Sequence, residues 1–191
     1  MQVYPADTLR LDASVVTIGA FDGVHLGHQA LLRRARERAW SLDVPLVIYT
    51  FDPPPKVFFG RAELLTPLEE KLRRLSLFAP DFVVVASFNA TYARRKAIDF
   101  IRELFQLGAR EVWTGQDFHF GHQREGNCAL LERYFRVQSI DKVCCSQAQR
   151  ISSTRIRQLI SRQQWEEASR LMGWRVTPQS TSETKYSLHN A

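Results

Sequence analysis

Apolar positions along this chain follow two periods that alternate. Val15–Ile18, Pro45–Phe51 (PLVIYTF) and Phe82–Ala86 (FVVVA) are short, nearly unbroken apolar runs. With the briefer Glu111–Thr114 and Val137–Val143, they predict buried strands. Between them the period lengthens to that of a helix. Gln29–Leu42 places Ala30, Leu31, Ala35 and Ala39 near one face. A helix running to Ala79 is predicted to be capped by Thr66, with Pro67 at its first position and Glu69-Glu70 in its first turn. Ala97–Leu107, part of Gly126–Phe135, Ser153–Ser161 and Trp165–Met172 complete the helical set. Strands separated by helices predict an α/β fold: a parallel sheet of about five strands with helices on both faces. Ligands of such sheets sit beyond the carboxyl ends of the strands, at the switch point. Those ends carry His25 and His28, then Phe51-Asp52-Pro53, then Gly115-Gln116-Asp117. Asp52–Gly60 is a proline-rich loop. Residues 1–174 are expected to form one domain, and the polar stretch 175–191 a disordered tail.

Composition narrows the function classes. Hydrophobic residues make up 45% and charged residues 24%, as in ordinary globular chains. No apolar run approaches the roughly 20 residues that span a bilayer. The start, MQVYPADTLRLDAS, has no basic segment followed by an apolar one, so it does not read as a secretory signal. Three cysteines without metal-ligand spacing fit a reducing, cytoplasmic setting. The net charge of +6 is scattered over helical patterns, with no RNA-binding signature. Solvated helix faces and a phosphate-rich small substrate account for it, and neither a nucleic acid nor a membrane is an expected partner.

Thr17–His28, TIGAFDGVHLGH, carries the most chemistry. A strand end, a glycine-containing turn and a helix start aim backbone N–H groups at one point, which suits a phosphate. His25 and His28 stand where they can bond its oxygens. Arg150–Arg157, RISSTRIR, offers three hydroxyls where one would cap a helix, flanked by Arg150, Arg155 and Arg157; the surplus suits a triphosphate. His119 and His122 have no companions at zinc spacing, and no metal ligand is assigned.

The HxGH pattern after a first strand resembles the adenylyl- and cytidylyltransferase superfamily. The longer FDGVHLGHQALL resembles bacterial FAD synthetase, specifically its FMN adenylyltransferase module. RxSSTxxR, the segment Gly115–Gly121 (GQDFHFG) with Arg124 and Gly126-Asn127, and Thr50–Pro55 (TFDPPP) resemble further motifs of that module, in order. The resemblance covers Val15 to Gly173. It implies a Rossmann-like nucleotidyltransferase fold and the reaction ATP + FMN → FAD + pyrophosphate. It implies that His25 and His28 bind the α- and β-phosphates, with His28 stabilising the transition state. Gly19, Phe21 and Gly27 would let the nucleotide approach the backbone. Arg150, Ser153, Thr154 and Arg157 would hold the β,γ-phosphates. Asp117 would sit where the two substrates meet. Phe51, Pro53, Phe118 and Phe120 would join it on the flavin side, and Mg²⁺ would arrive on the triphosphate.

Four positions depart from the family. Asp52 replaces a glutamate and Pro54 a histidine. Arg95-Lys96 stands where a Leu-Ser or Leu-Thr pair is usual; Lys96 cannot cap the following helix, so a frayed start is expected. The family's riboflavin kinase module would begin after Trp174, and the polar residues there predict a chain without it. The sequence leaves two other readings open: an HxGH transferase acting on a different phosphate monoester, and a catalytically idle flavin- or nucleotide-binding regulator.

Overall fold

The computed structural model describes residues 1–141, 143–145 and 149–177. Residues 178–191 of the predicted tail lie outside these. The sheet has six strands rather than five: β1 (Gln2–Pro5), β2 (Ser14–Ile18), β3 (Leu46–Asp52), β4 (Phe82–Ser87), β5 (Ala109–Thr114) and a last strand, Arg136–Ser139. Numbering that last strand β8, the order is β1-β4-β3-β2-β5-β8, with every neighbouring pair parallel. β1 escaped the sequence reading because it is a four-residue edge strand, mostly exposed, with no apolar run. The last strand stops at Ser139, short of the predicted Val143.

Side chains of β3 alternate between two cores. Val47, Tyr49 and Phe51 face helix α5 (Ala97–Gln106), packing with Phe100, Ile101 and Leu104. Leu46 and Ile48 face the other way. There α1 (Leu26–Ser41) supplies Leu31, Leu32, Ala35 and Ala39, and α3 (Leu68–Ser76) supplies Leu75. The short helices α2 (Pro55–Phe58) and α4 (Ala90–Ala93) follow β3 and β4. After β5 the chain folds a small hairpin, β6 (His119–Phe120) against β7 (Gly126–Asn127), then α6 (Cys128–Glu132).

Two predicted helix starts differ. Thr66 does not cap α3: Pro67 holds the cap position, and the buried Thr66 hydroxyl accepts from Arg74 Nη1 at 3.4 Å. The start of α5 is not left bare. Lys96 offers no side-chain cap, but the Glu125 carboxylate accepts from the Ala97 amide at 2.6 Å. A partner 28 residues downstream does what the local sequence cannot.

The last two helices, α7 (Ser153–Ser161) and α8 (Trp165–Met172), form a separate apolar unit clamped under the β2–α1 turn. Gln29 Nε2 donates to Met172 O at 2.9 Å, and Trp174 Nε1 to Val24 O at 2.9 Å. The predicted tail is docked at its start. Val176 is buried in this unit and its amide donates to Ser169 Oγ at 2.9 Å. Among the described residues no helix is long and apolar enough to cross a membrane.

Candidate active site

Connections leave β2 toward β3 and β4 on one side and reach β5 and β8 on the other. The carboxyl ends of β2 and β5 therefore flank the switch point, where a cavity of about 660 Å³ opens. The β2–α1 turn, the β3–α2 loop, the α4–α5 connection, the β6–β7 hairpin and the start of α7 line it.

α1 begins three residues earlier than predicted because His25 is its cap. His25 Nδ1 accepts from the His28 amide at 3.3 Å. An accepting Nδ1 leaves the ring proton on Nε2, a donor for a bound anion. The two imidazoles stack at 3.6 Å between centroids, 15° from parallel, and the Phe21 ring meets His28 edge-on at 5.3 Å. His28 Nδ1 is buried and makes no hydrogen bond within the protein. Burial, opposed by a hydrogen bond to its own backbone and reinforced by the charges of Arg150 and Arg157, pushes the His25 pKa down to about 4. Burial, His25 and Lys71 hold His28 well below its ordinary value. Both rings are neutral at pH 7.

The depressed His25 pKa has a stability consequence. Above the ordinary value of 6.5 neither the folded nor the unfolded state protonates it. Between 6.5 and about 4 the unfolded chain takes up the proton and the folded chain resists, so stability falls with pH. From this residue alone the loss is about 2 kcal/mol at pH 5. His25→Asn keeps a capping acceptor, and is expected to flatten that slope in urea unfolding between pH 7.5 and 5. An unchanged slope would show that His25 titrates normally.

Gly19 and Gly27 make room for rings. A Cβ at Gly19 would lie 2.9 Å from the Phe21 ring, and one at Gly27 would lie 3.1 Å from His25. Both glycines line the cavity, but these distances account for them without a nucleotide. Phe21 is fully buried and buttresses His28.

Of the three hydroxyls at the start of α7, Ser152 is the cap, accepting from the Arg155 amide at 3.3 Å. Ser153 Oγ donates to Asp22 O at 3.0 Å, and Thr154 is exposed at the cavity. Arg157, expected on the phosphates, is engaged elsewhere: it donates from Nη2 to the Asp22 carboxylate and from Nε to Glu63 O at 2.6 Å. Arg150 and Asp117 form an exposed ion pair at 2.5 Å, tying the β5–β6 loop to the α7 start. At the far end Phe51, Phe118 and Phe120 line the cavity. Phe118 and Phe120 lie parallel at 5.5 Å, and Phe120 is largely core, wedged against Phe100. Pro53 is not among the lining residues; Pro54 and Pro55 are.

Two residues escaped the sequence reading. Asp22, 3% exposed, joins the turn to α7 and accepts from the Leu65 and Thr66 amides at 3.0 and 3.1 Å. Lys71 is fully buried and donates to Phe51 O at 2.7 Å, fixing the end of β3. Its signal was available: Leu68, Lys71, Leu72 and Leu75 share the apolar face of α3.

An all-parallel sheet with a histidine-capped helix at its switch point places the protein among the Rossmann-like nucleotidyltransferases. Sequence comparison narrows this: the FAD synthetase profile matches residues 8–155, and the chain belongs to the FAD synthetase family. A Geobacillus thermodenitrificans protein is 53% identical over 175 residues, covering 91% of this chain and 98% of that one. Proteins of Haemophilus influenzae and Escherichia coli, each named bifunctional riboflavin kinase/FMN adenylyltransferase, are 36% and 34% identical across 85% of this chain. The chain spans about half their length, 56% and 55%. A solved Streptococcus pneumoniae structure, described as a macrolide-efflux protein, superposes with a TM-score of 0.80 at 29% identity, covering 90% of this chain and 61% of that one.

Proposed function

We propose that this chain transfers AMP from ATP to FMN, giving FAD and pyrophosphate. What supports this most is one cavity with a polar end, where the stacked histidines face the α7 N-terminus, and an aromatic end built from Phe51, Phe88 and Phe118. The first suits phosphates and the second a flat ring system. An FMN phosphate oxygen attacks the α-phosphorus in line, the new P–O bond forms as the bond to the bridging oxygen breaks, and pyrophosphate departs with that electron pair. Such a reaction needs positioning and charge stabilisation rather than covalent help. His25 Nε2–H and His28 would donate to the reacting phosphates. Thr154 and the first α7 amides would hold the leaving group. Arg150 would pass from Asp117 to the β,γ-phosphates, leaving Asp117 beside the acceptor. Arg157 would act indirectly, by holding α7 against the turn.

Among the described residues no three His, Cys, Asp or Glu side chains gather as a metal site. Asp22 is committed to Arg157 and Asp117 to Arg150. These residues suit Mg²⁺ only as a companion of the triphosphate, which would supply most of its oxygens. The reading is tested by incubating the chain with ATP, Mg²⁺ and FMN and separating the flavins. FAD with stoichiometric pyrophosphate supports it. Flavin binding without FAD overturns it in favour of a regulator, and transfer of AMP only to another phosphate monoester overturns the assignment of FMN.

The hydroxyls at the start of α7 separate capping from binding. Ser152→Ala is expected to reduce stability by about 1 kcal/mol with the KM for ATP within twofold. Thr154→Ala should leave stability unchanged and raise the KM for ATP about tenfold, the loss of one charge-assisted bond. Thermal melts and initial rates on both variants check this; a Thr154 variant with normal kinetics removes that residue from the site.

A further inference from the structure

Beneath the aromatic end of the cavity lies a buried polar network for which the reaction just described has no use. Glu103 on α5 is 1% exposed. Its Oε1 accepts from the Asp7 amide at 2.7 Å; its Oε2 accepts from Tyr49 Oη at 2.9 Å and Arg95 Nη1 at 2.7 Å. Arg95 also donates to Asp7 Oδ1 at 2.8 Å and Asp99 O at 3.0 Å. The Tyr49 and Tyr92 hydroxyls are 2.9 Å apart. Arg95 and Tyr92 line the cavity.

Stability alone does not explain the arrangement, because a buried ion pair is commonly no better than an apolar pair of the same volume. Burial pushes the Glu103 carboxyl up, opposed by the Asp7 amide and Arg95, so the pair is held against a desolvation penalty. What the network achieves is geometric. It fastens the Tyr92 ring at its tip through Tyr49, and the Arg95 guanidinium lies 5.5 Å from the ring centroid. Phe88 and Phe51 pack against the same ring at 5.5 and 6.0 Å. A side chain so held presents one face at low entropic cost to whatever enters.

We propose that Arg95, set by Glu103, is a positioning residue for the acceptor: it fixes Tyr92 as a wall of the slot that takes the flat ring system of the flavin. This rests on the aromatic end being the flavin end. Arg95 acts through Tyr92 and touches no reacting atom.

The test uses two variants and two readouts. Arg95→Leu with Glu103→Leu replaces the ion pair by an apolar one, and Tyr92→Phe cuts the tie to Tyr49 alone. FMN binding is followed by quenching of flavin fluorescence without ATP, and KM values for FMN and ATP are measured separately. In the double variant both the FMN Kd and the KM for FMN are expected to rise about tenfold, with the KM for ATP within twofold. Tyr92→Phe should show a smaller shift of the same kind, and it decides the matter if the double variant does not fold. Unchanged FMN binding, or a parallel rise in both KM values, would overturn the proposal. If the unmodified chain binds FMN but makes no FAD, the proposed reaction falls while the fluorescence readout still judges Arg95. If it binds no FMN, the flavin end and this proposal fall together.

Discussion

Replacing His28 with alanine is expected to slow FAD formation about 10²–10³-fold, the usual effect of removing one donor aimed at developing charge. The fold should survive. His28 contributes a ring stacked on His25 and an edge contact from Phe21, and its buried Nδ1 has no protein partner to strand. Such ring contacts amount to about 1 kcal/mol. His25 differs: its Nδ1 caps α1, so its alanine variant would lose a cap as well as a donor. The measurement is kcat at saturating ATP and FMN beside a thermal melt. Turnover within threefold of the unmodified chain would remove His28 from the mechanism. A melt lowered by many degrees would mean that the rate loss reports folding.

The largest stability effect is expected at Asp22. Asp22→Ala should reduce unfolding free energy by about 3–5 kcal/mol, the range for removing one partner of a buried ion pair. The carboxylate is shared among Arg157 and the Leu65 and Thr66 amides, so its loss strands three donors at once. Burial raises the Asp22 pKa, and Arg157 and the two amides pull it back. The same loss frees α7, whose start also leans on Asp22 O through Ser153. The KM for ATP should therefore rise more than the KM for FMN. Asp22→Asn keeps an acceptor and should fall between. Urea unfolding and paired KM measurements check both. An alanine variant as stable as the parent would show that Arg157 finds another partner and that the junction is not what holds α7.

Much of the site was legible because its chemistry is local. The sequence from Thr17 to His28 contains a strand end, a turn and a helix start whose capping residue, His25, is itself a candidate ligand. The hydroxyls of 152–154 belong to one helix start for the same reason. What could not be read is which members of a motif face the cavity and which serve the fold. Arg150 and Arg157 look alike in RISSTRIR, yet one lies in an exposed pair across the cavity and the other is committed to Asp22, 135 residues away. The frayed start expected at Lys96 failed likewise, because its cap is a side chain from the hairpin beyond the next strand.

By itself the sequence determined the alternation of strand and helix, the family, and the residue types gathered at the carboxyl edge of the sheet. These follow from periodicity, capping and turn chemistry, which act over a few residues. Only the tertiary structure decided that a short exposed segment at the start of the chain completes the sheet as β1, paired with β4 through backbone hydrogen bonds that no side-chain pattern announces. It also decided that Lys71, Glu103 and Arg95 carry charge into the interior, where each is tolerated only because a partner from another element meets it. Burying a charge is a matter of what surrounds it, and those surroundings are assembled from parts of the chain that only folding brings together.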